Sequence, residues 1–167
     1  MGHVIYASYG SNLLEERFLV YINSGKFRNK GTDYPGCEDK TQPQYIGWIL
    51  VPYRIYFAKN SPRWDNGGVA FLSYEREPKP EFHSVVRLWK VLKSQFNDIK
   101  EQEGYWYDKI LCIGEIDGLK ILTFTESNKS QKTNPSKSYL EVLIEGLKET
   151  TAWSDEKINK YWEKFLK

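Results

Sequence analysis

A chain of 167 residues, 40% hydrophobic and 16% aromatic, has the mass for one buried core and too much apolar content for the disordered class. Its formal net charge of +2 comes from 24 Lys and Arg interspersed with 22 Asp and Glu, with no basic block of the kind that tracks phosphates, so nucleic acid is not an expected partner. No apolar run of about 18 residues is present to span a bilayer, Met1 leads straight into Val4-Ile5-Tyr6 without separate charged and apolar signal regions, and Cys37 and Cys112 lack metal-ligand spacing. These features exclude a membrane partner, make the cytoplasm the expected compartment, and read both cysteines as reduced thiols.

In chain order, His3 to Tyr9 is a β-branched and aromatic run that stops at Gly10-Ser11-Asn12, which reads as strand and tight loop. Leu13, Leu14, Phe18, Leu19 and Ile22 recur near helical spacing, with Glu15, Glu16 and Arg17 on the opposite side and Ser11 or Asn12 as N-cap. Asn23 to Gln44, broken by Gly25, Gly31, Pro35, Gly36 and Pro43, is expected to be a long loop, a lid or a site wall. Strands follow at Tyr45 to Val51, Tyr53 to Ala58 and Gly68 to Tyr74, as the middle of a sheet. Val85, Leu88, Trp89, Leu92 and Phe96 fall on one stripe, which predicts an amphipathic helix from Phe82 to Ile99. Asp117-Gly118 joins Tyr105 to Ile116 and Leu119 to Phe124 as a hairpin. Pro135-Ser136 opens a helix to about Lys148, and Ser154-Asp155 opens another. The order β, α, β-rich, α, β, α, α without internal repeats predicts a single α+β domain over residues 1–167.

Two places carry chemistry. A strand end against a helix start leaves backbone N–H groups at Gly10, Ser11 and Asn12 able to hold an anion or oxyanion, although Gly-Ser-Asn by itself is an ordinary capped turn. Glu103, alone, is one solvated carboxylate in the run Glu101-Gln102-Glu103. His3 and His83 have no readable triad partners and are read as structural or exposed.

The string Tyr6-Ala7-Ser8-Tyr9-Gly10-Ser11-Asn12-Leu13 resembles the signature of the γ-glutamylcyclotransferase-like superfamily and its plant and γ-glutamylamine-cleaving relatives. Two later segments are similar to the same family in order and spacing: Glu103-Gly104 followed by Tyr105-Trp106-Tyr107, and Pro135-Ser136-Lys137-Ser138-Tyr139 at a helix start. Trp64 to Phe71 resembles the family's Gly-rich strand beside the pocket, or is a plain turn into a strand. The resemblance implies a small mixed, barrel-like sheet with flanking helices. It implies a γ-glutamyl small molecule as the partner, and no metal or redox cofactor. It also implies a reaction in which the substrate α-amine attacks its own γ-carbonyl, releasing 5-oxoproline and an amine or amino acid. Glu103 is then the general base, assisted by a partly desolvated pocket. The turn Tyr9, Gly10, Ser11, Asn12, Leu13, with Tyr107 and Tyr139, binds substrate, and Gly104 frees the backbone to turn Glu103 inward while Glu101 stays on the surface. The alternative is a module of the same fold that binds such ligands without turning them over.

Overall fold

The computed structural model describes residues 2–166. Five strands form one mixed sheet in the order β4-β7-β1-β9-β8, where β1 is His3–Ser8, β4 Gln44–Val51, β7 Ser84–Leu92, β8 Lys109–Ile116 and β9 Leu119–Thr125. In the centre, β1 runs antiparallel to β7 and parallel to β9. Two further pairs, β2 (Gly25–Phe27) with β3 (Lys30–Tyr34) and β5 (Ile55–Ser61) with β6 (Gly67–Leu72), are separate antiparallel ribbons. The helices are α1 (Glu15–Asn23), α2 (Lys93–Glu103), α3 (Lys137–Thr151) and α4 (Asp155–Glu163). Mixed sheet and flanking helices agree with the α+β expectation, but the sheet is open: β4 and β8 are both edges, and no barrel closes among the described residues.

Each edge strand is interrupted by a bulge, at Gly47 in β4 and Gly114 in β8, which disfavours pairing with another chain. Side-chain hydroxyls tie the β5–β6 ribbon to the sheet. Ser84 Oγ accepts from the Ile55 N–H at 3.2 Å and donates to the Tyr53 carbonyl at 2.7 Å. Thr125 Oγ1 accepts from Leu72 N–H at 2.9 Å and donates to its carbonyl at 2.8 Å. Tyr161 of α4 accepts the Val85 N–H at 2.7 Å. Among the described residues no helix is long and apolar enough to cross a membrane. Both cysteines are free; Cys37 is buried, which pushes its thiol up to about 12, and Cys112 is exposed.

Several sequence expectations need correcting. Residues 84–92 are the strand β7, not helix, because Val85, Val86 and Val91 are stiff at χ1 and the segment is buried on both faces between β4 and β1. Only 93–103 coil, and His83 precedes β7 outside any α-helix. The expected long loop from Asn23 contains the β2–β3 ribbon, turned at Arg28 and Asn29 with φ of 52° and 59°. Of the strands taken as mid-sheet, β4 is an edge, and β5 and β6 lie outside the five-stranded sheet. Helix α1 has no Ser11 or Asn12 cap: those residues form a 3-10 turn, Ser11–Leu13, and Leu14 is extended before the helix begins. The Asp117-Gly118 hairpin turn is found, with positive φ at both residues, and Ser136 and Ser154 cap α3 and α4 by accepting the N–H three residues on.

Helix α3 reaches the 3-10 turn through Gly146, where an added Cβ would lie 2.7 Å from Leu14 N and 2.9 Å from Leu13 Cβ. Gly146→Ala should therefore destabilise the protein by about 1–3 kcal/mol, against the gain of up to ~1 kcal/mol that Ala brings at an open helical site. Urea denaturation checks this.

Candidate active site

Strand β1 delivers the chain to the site, and its last residue fastens the turn that follows: Ser8 Oγ donates to the Asn12 carbonyl at 3.1 Å. Leu13 N–H closes on the Gly10 carbonyl at 3.0 Å and Leu14 N–H on that of Ser11 at 3.2 Å. The N–H groups that open this turn have no acceptor within it. Gly10 sits at a close approach, since a Cβ there would come within 3.3 Å of both the Tyr139 hydroxyl and Ala70 Cβ.

Glu103 is the last residue of α2. Gly104, at φ 101°, ends the helix in a conformation that other residues rarely adopt. The rotation of that last turn is set by Gln102, whose Nε2 donates to the Tyr21 carbonyl at 2.9 Å and whose Oε1 accepts from the Gly36 N–H at 2.9 Å. With Gln102 pinned, Glu101 faces solvent and Glu103 turns to Asn12, whose Nδ2 donates to Glu103 Oε1 and to the Tyr6 hydroxyl, both at 3.0 Å.

Two cavities meet here. One of about 500 Å³ is walled by Arg17, Arg63, Trp64, Tyr105 and Trp106 among others. The other, about 30 Å³, lies against the turn, lined by Tyr6, Tyr9, Gly10, Asn12, Thr123 and neighbours. Ser11, Glu103, Tyr107 and Tyr139 line both. Three phenols hold the walls: Tyr9 donates to the Phe124 carbonyl at 2.8 Å, Tyr107 donates to the Ala70 carbonyl at 2.9 Å, and Tyr139 accepts the Ala70 N–H at 3.0 Å. Burial first, with the Glu103 charge adding to it, pushes the phenols of Tyr6, Tyr9, Tyr107 and Tyr139 above their ordinary value, so all stay protonated.

Of the residues singled out from sequence, Tyr9, Gly10, Ser11, Asn12, Glu103, Tyr107 and Tyr139 come together at these cavities. Leu13 does not; its side chain is fully buried in the core beneath Gly146. Tyr105 lines the large cavity but is 87% exposed, a rim and not a dry wall. Gly67 and Gly68 serve packing rather than ligand approach, because a Cβ at either would run into Ser136 or Thr133.

Sequence reasoning put Arg17 on the solvent face of α1, and the structure buries it at 4% exposure. Helix α1 buries residues 17, 18, 21 and 22, so Arg17 falls within its inward arc. The readable signal was its i,i+4 relation to Tyr21. Arg17 Nη2 donates to the Tyr21 and Tyr34 hydroxyls, each at 2.9 Å, and the guanidinium carbon lies 4.9–5.5 Å from the rings of Tyr34, Tyr21, Trp64 and Phe27. Burial works against its charge, but the phenol oxygens of Tyr21 and Tyr34 and the Glu103 carboxylate outweigh that and hold its pKa above the ordinary arginine value. Each ring contact is worth about 0.5–2 kcal/mol.

No family model matches the chain. Among solved structures it is similar to one described as gamma-glutamyl cyclotransferase, with a TM-score of 0.70 and 19% identity over 96% of this chain and 87% of that one. An uncharacterized protein from Homo sapiens matches with a TM-score of 0.69 and 20% identity, over 95% and 88% of the two chains. YkqA from Bacillus subtilis matches with 0.61 and 16%, over 100% of this chain and 56% of that one. The chain thus has the γ-glutamylcyclotransferase-like fold. In sequence it is 28% identical to histone deacetylase 5 of Arabidopsis thaliana over 96% of its length, and it spans 30% of that longer protein.

The Ala70 N–H has its acceptor in the Tyr139 hydroxyl, and removing that oxygen strands a buried donor. Tyr139→Phe should lose about 1–3 kcal/mol of stability in chemical denaturation, far more than loss of a solvated hydroxyl.

Proposed function

We propose that this protein cleaves γ-glutamyl amides by cyclisation. The substrate α-amine attacks the γ-carbonyl carbon, a new C–N bond closes the five-membered 5-oxoproline ring, and the original amide C–N bond breaks to release an amine or amino acid. The observation that carries this reading is the Glu103 carboxylate, oriented by Asn12 Nδ2 at 3.0 Å and lying where the two cavities meet.

An α-amine is mostly protonated at neutral pH and is no nucleophile in that form. Glu103 takes its proton, the nitrogen pair attacks, and the same proton passes to the departing nitrogen; a positioned acid–base of this kind contributes about 10²–10⁴-fold. Negative charge that builds on the γ-oxygen is met by the N–H groups of the Gly10 to Asn12 turn, which no side-chain substitution removes. The larger cavity accommodates a folded glutamyl chain with amine against carbonyl, and such proximity is worth up to about 7–11 kcal/mol. Neutral phenols of Tyr107 and Tyr139 wall the reacting end without competing for the proton. Likeness of fold to a gamma-glutamyl cyclotransferase supports the reading.

Purified protein incubated with γ-glutamyl dipeptides, glutathione and γ-glutamyl-lysine should yield 5-oxoproline, detected by mass spectrometry. Glu103→Gln should fold normally and lose about 10²–10⁴-fold in turnover, while Glu101→Gln keeps it. Equal activity in the two variants removes the assignment, and ligand binding without product identifies a binding module of the same fold.

A further inference from the structure

The turn that carries Gly10, Ser11 and Asn12 is held from behind by a second buried guanidinium. Arg87 of β7 lies in register with Ser8, the last residue of β1, so it sits where the chain leaves the sheet for the turn. It is 6% exposed and lines neither of the two cavities. Its Nη1 donates to the Leu13 carbonyl at 2.8 Å and to Glu149 Oε1 at 2.6 Å. The same Glu149 oxygen accepts the Glu15 N–H at 2.8 Å, and Thr150 Oγ1 makes a longer bond of 3.3 Å to the Leu13 carbonyl. The guanidinium carbon rests 4.8 Å and 5.1 Å from the ring centres of Tyr45 and Trp89, which support the side chain along its length.

This ion pair is oriented. Helix α1 begins only at Glu15, Leu14 gives it no side-chain cap, and its first bond runs from the Phe18 N–H to the Leu14 carbonyl. The junction therefore leaves the Leu13 carbonyl and the Glu15 N–H without helical partners. Arg87 supplies the cation to the carbonyl and Glu149 the anion to the N–H, the sign that a helix start favours. A neutral donor would be enough to satisfy the carbonyl. A cation also polarises the peptide group that it binds. The Leu14 N–H, on that same peptide, donates to the Ser11 carbonyl at 3.2 Å, and the next peptide, between Ser11 and Asn12, carries the Asn12 N–H. The Arg87 charge thus reaches the Asn12 N–H through two peptide groups joined by one hydrogen bond.

We infer that Arg87 is a positioning residue for the proposed reaction: it fixes the turn through the Leu13 carbonyl and strengthens the Asn12 N–H as a donor, without touching substrate. This rests on the cyclising reading above and adds to it a support for the oxyanion that a side-chain substitution can reach. Negative charge on the γ-oxygen builds only as the ring closes, so the contribution belongs to kcat and not to substrate binding. In an ion pair that serves stability alone, neutralising either partner costs the fold and leaves kcat per folded molecule unchanged. Here the two partners act on different peptides, so only loss of the cation weakens the turn. Because one nitrogen makes both bonds of Arg87, a lysine ammonium can replace it as a point charge.

The test measures 5-oxoproline release from the γ-glutamyl compound that the wild type turns over, per folded molecule, with the folded fraction taken from circular dichroism. Arg87→Met should lower kcat by about 10-fold or more, short of the roughly 10²–10³-fold that loss of a whole oxyanion donor costs, and should leave KM within about twofold. Arg87→Lys should regain most of that loss. Glu149→Gln, which keeps an acceptor in the same place, should lose stability without the fall in kcat. An unchanged kcat in Arg87→Met, an equal fall in Glu149→Gln, or a fall that Arg87→Lys does not relieve overturns the inference. If neither Arg87 variant folds, the residue supports the fold alone and the inference fails. A second readout needs no turnover: in amide NMR spectra the Asn12 proton should move upfield in Arg87→Met and return in Arg87→Lys. If the wild type turns over none of the compounds, yet that shift is seen, the cyclising reading fails and the hold of Arg87 on the turn stands. An Asn12 amide that does not move sinks it.

Discussion

The hydrogen bond from Asn12 Nδ2 to Glu103 joins chain positions 91 residues apart, and the site exists only because the fold brings them together. The central strand β1 ends at the turn that holds Asn12, and β7 runs antiparallel beside it, so Leu92 finishes opposite His3, at the far end of β1. Helix α2 starts on the next residue and returns along the sheet, packed on β1 and β7. Its 11 residues are about 16 Å long and the 6 residues of β1 about 20 Å. The helix therefore runs out close to where the strand does, and Gly104 ends it with Glu103 against Asn12. The pairing of Asn12 with Glu103 follows from two matched lengths and one helix-ending glycine.

That matching explains which sequence expectations survive. A helix continuous from Phe82 to Glu103 would be about 33 Å long and would carry the carboxylate well past the turn. The expectation arose because Val85, Leu88, Trp89 and Leu92 satisfy helical spacing, yet a strand buried on both faces reads as a continuous apolar run and offers no alternation to distinguish it. Density of Val across 85–91 was the discriminating signal. Caps and turns were legible wherever a single side chain or a positive φ decides the structure, as at Ser136, Ser154, Gly104 and Asp117-Gly118. The β2–β3 ribbon was not, since its strands of 3 and 5 residues are too short and too exposed to show a pattern.

The members of the site were legible as motif residues, because a turn and a Glu-Gly helix end are local features. Their relation, with Glu103 turned inward and Glu101 outward, was implied by the resemblance and Gly104, but the contacts that fix it run through Gln102. That residue sits between two acids and selects one by hydrogen bonds to Tyr21 and Gly36, on elements distant in sequence. Arg17 escaped for a related reason. The helix buries Tyr21 and leaves Leu19 half-buried, so its inward arc is shifted towards Arg17 relative to the one read from Leu13, Leu14, Phe18, Leu19 and Ile22.

Electrostatics then connects these pieces. The site sets one carboxylate and one buried guanidinium among phenols that stay neutral, so the phenols do not compete for a proton. Four aromatic faces around Arg17 stabilise the ion, and the Tyr21 and Tyr34 hydroxyls accept from its Nη2. A protein selected for stability alone would replace such an ion with an apolar side chain at little loss. Keeping the cation ties helix α1 to β3 through the Tyr21 and Tyr34 hydroxyls, a polar joint at the cavity wall that an apolar side chain could not make.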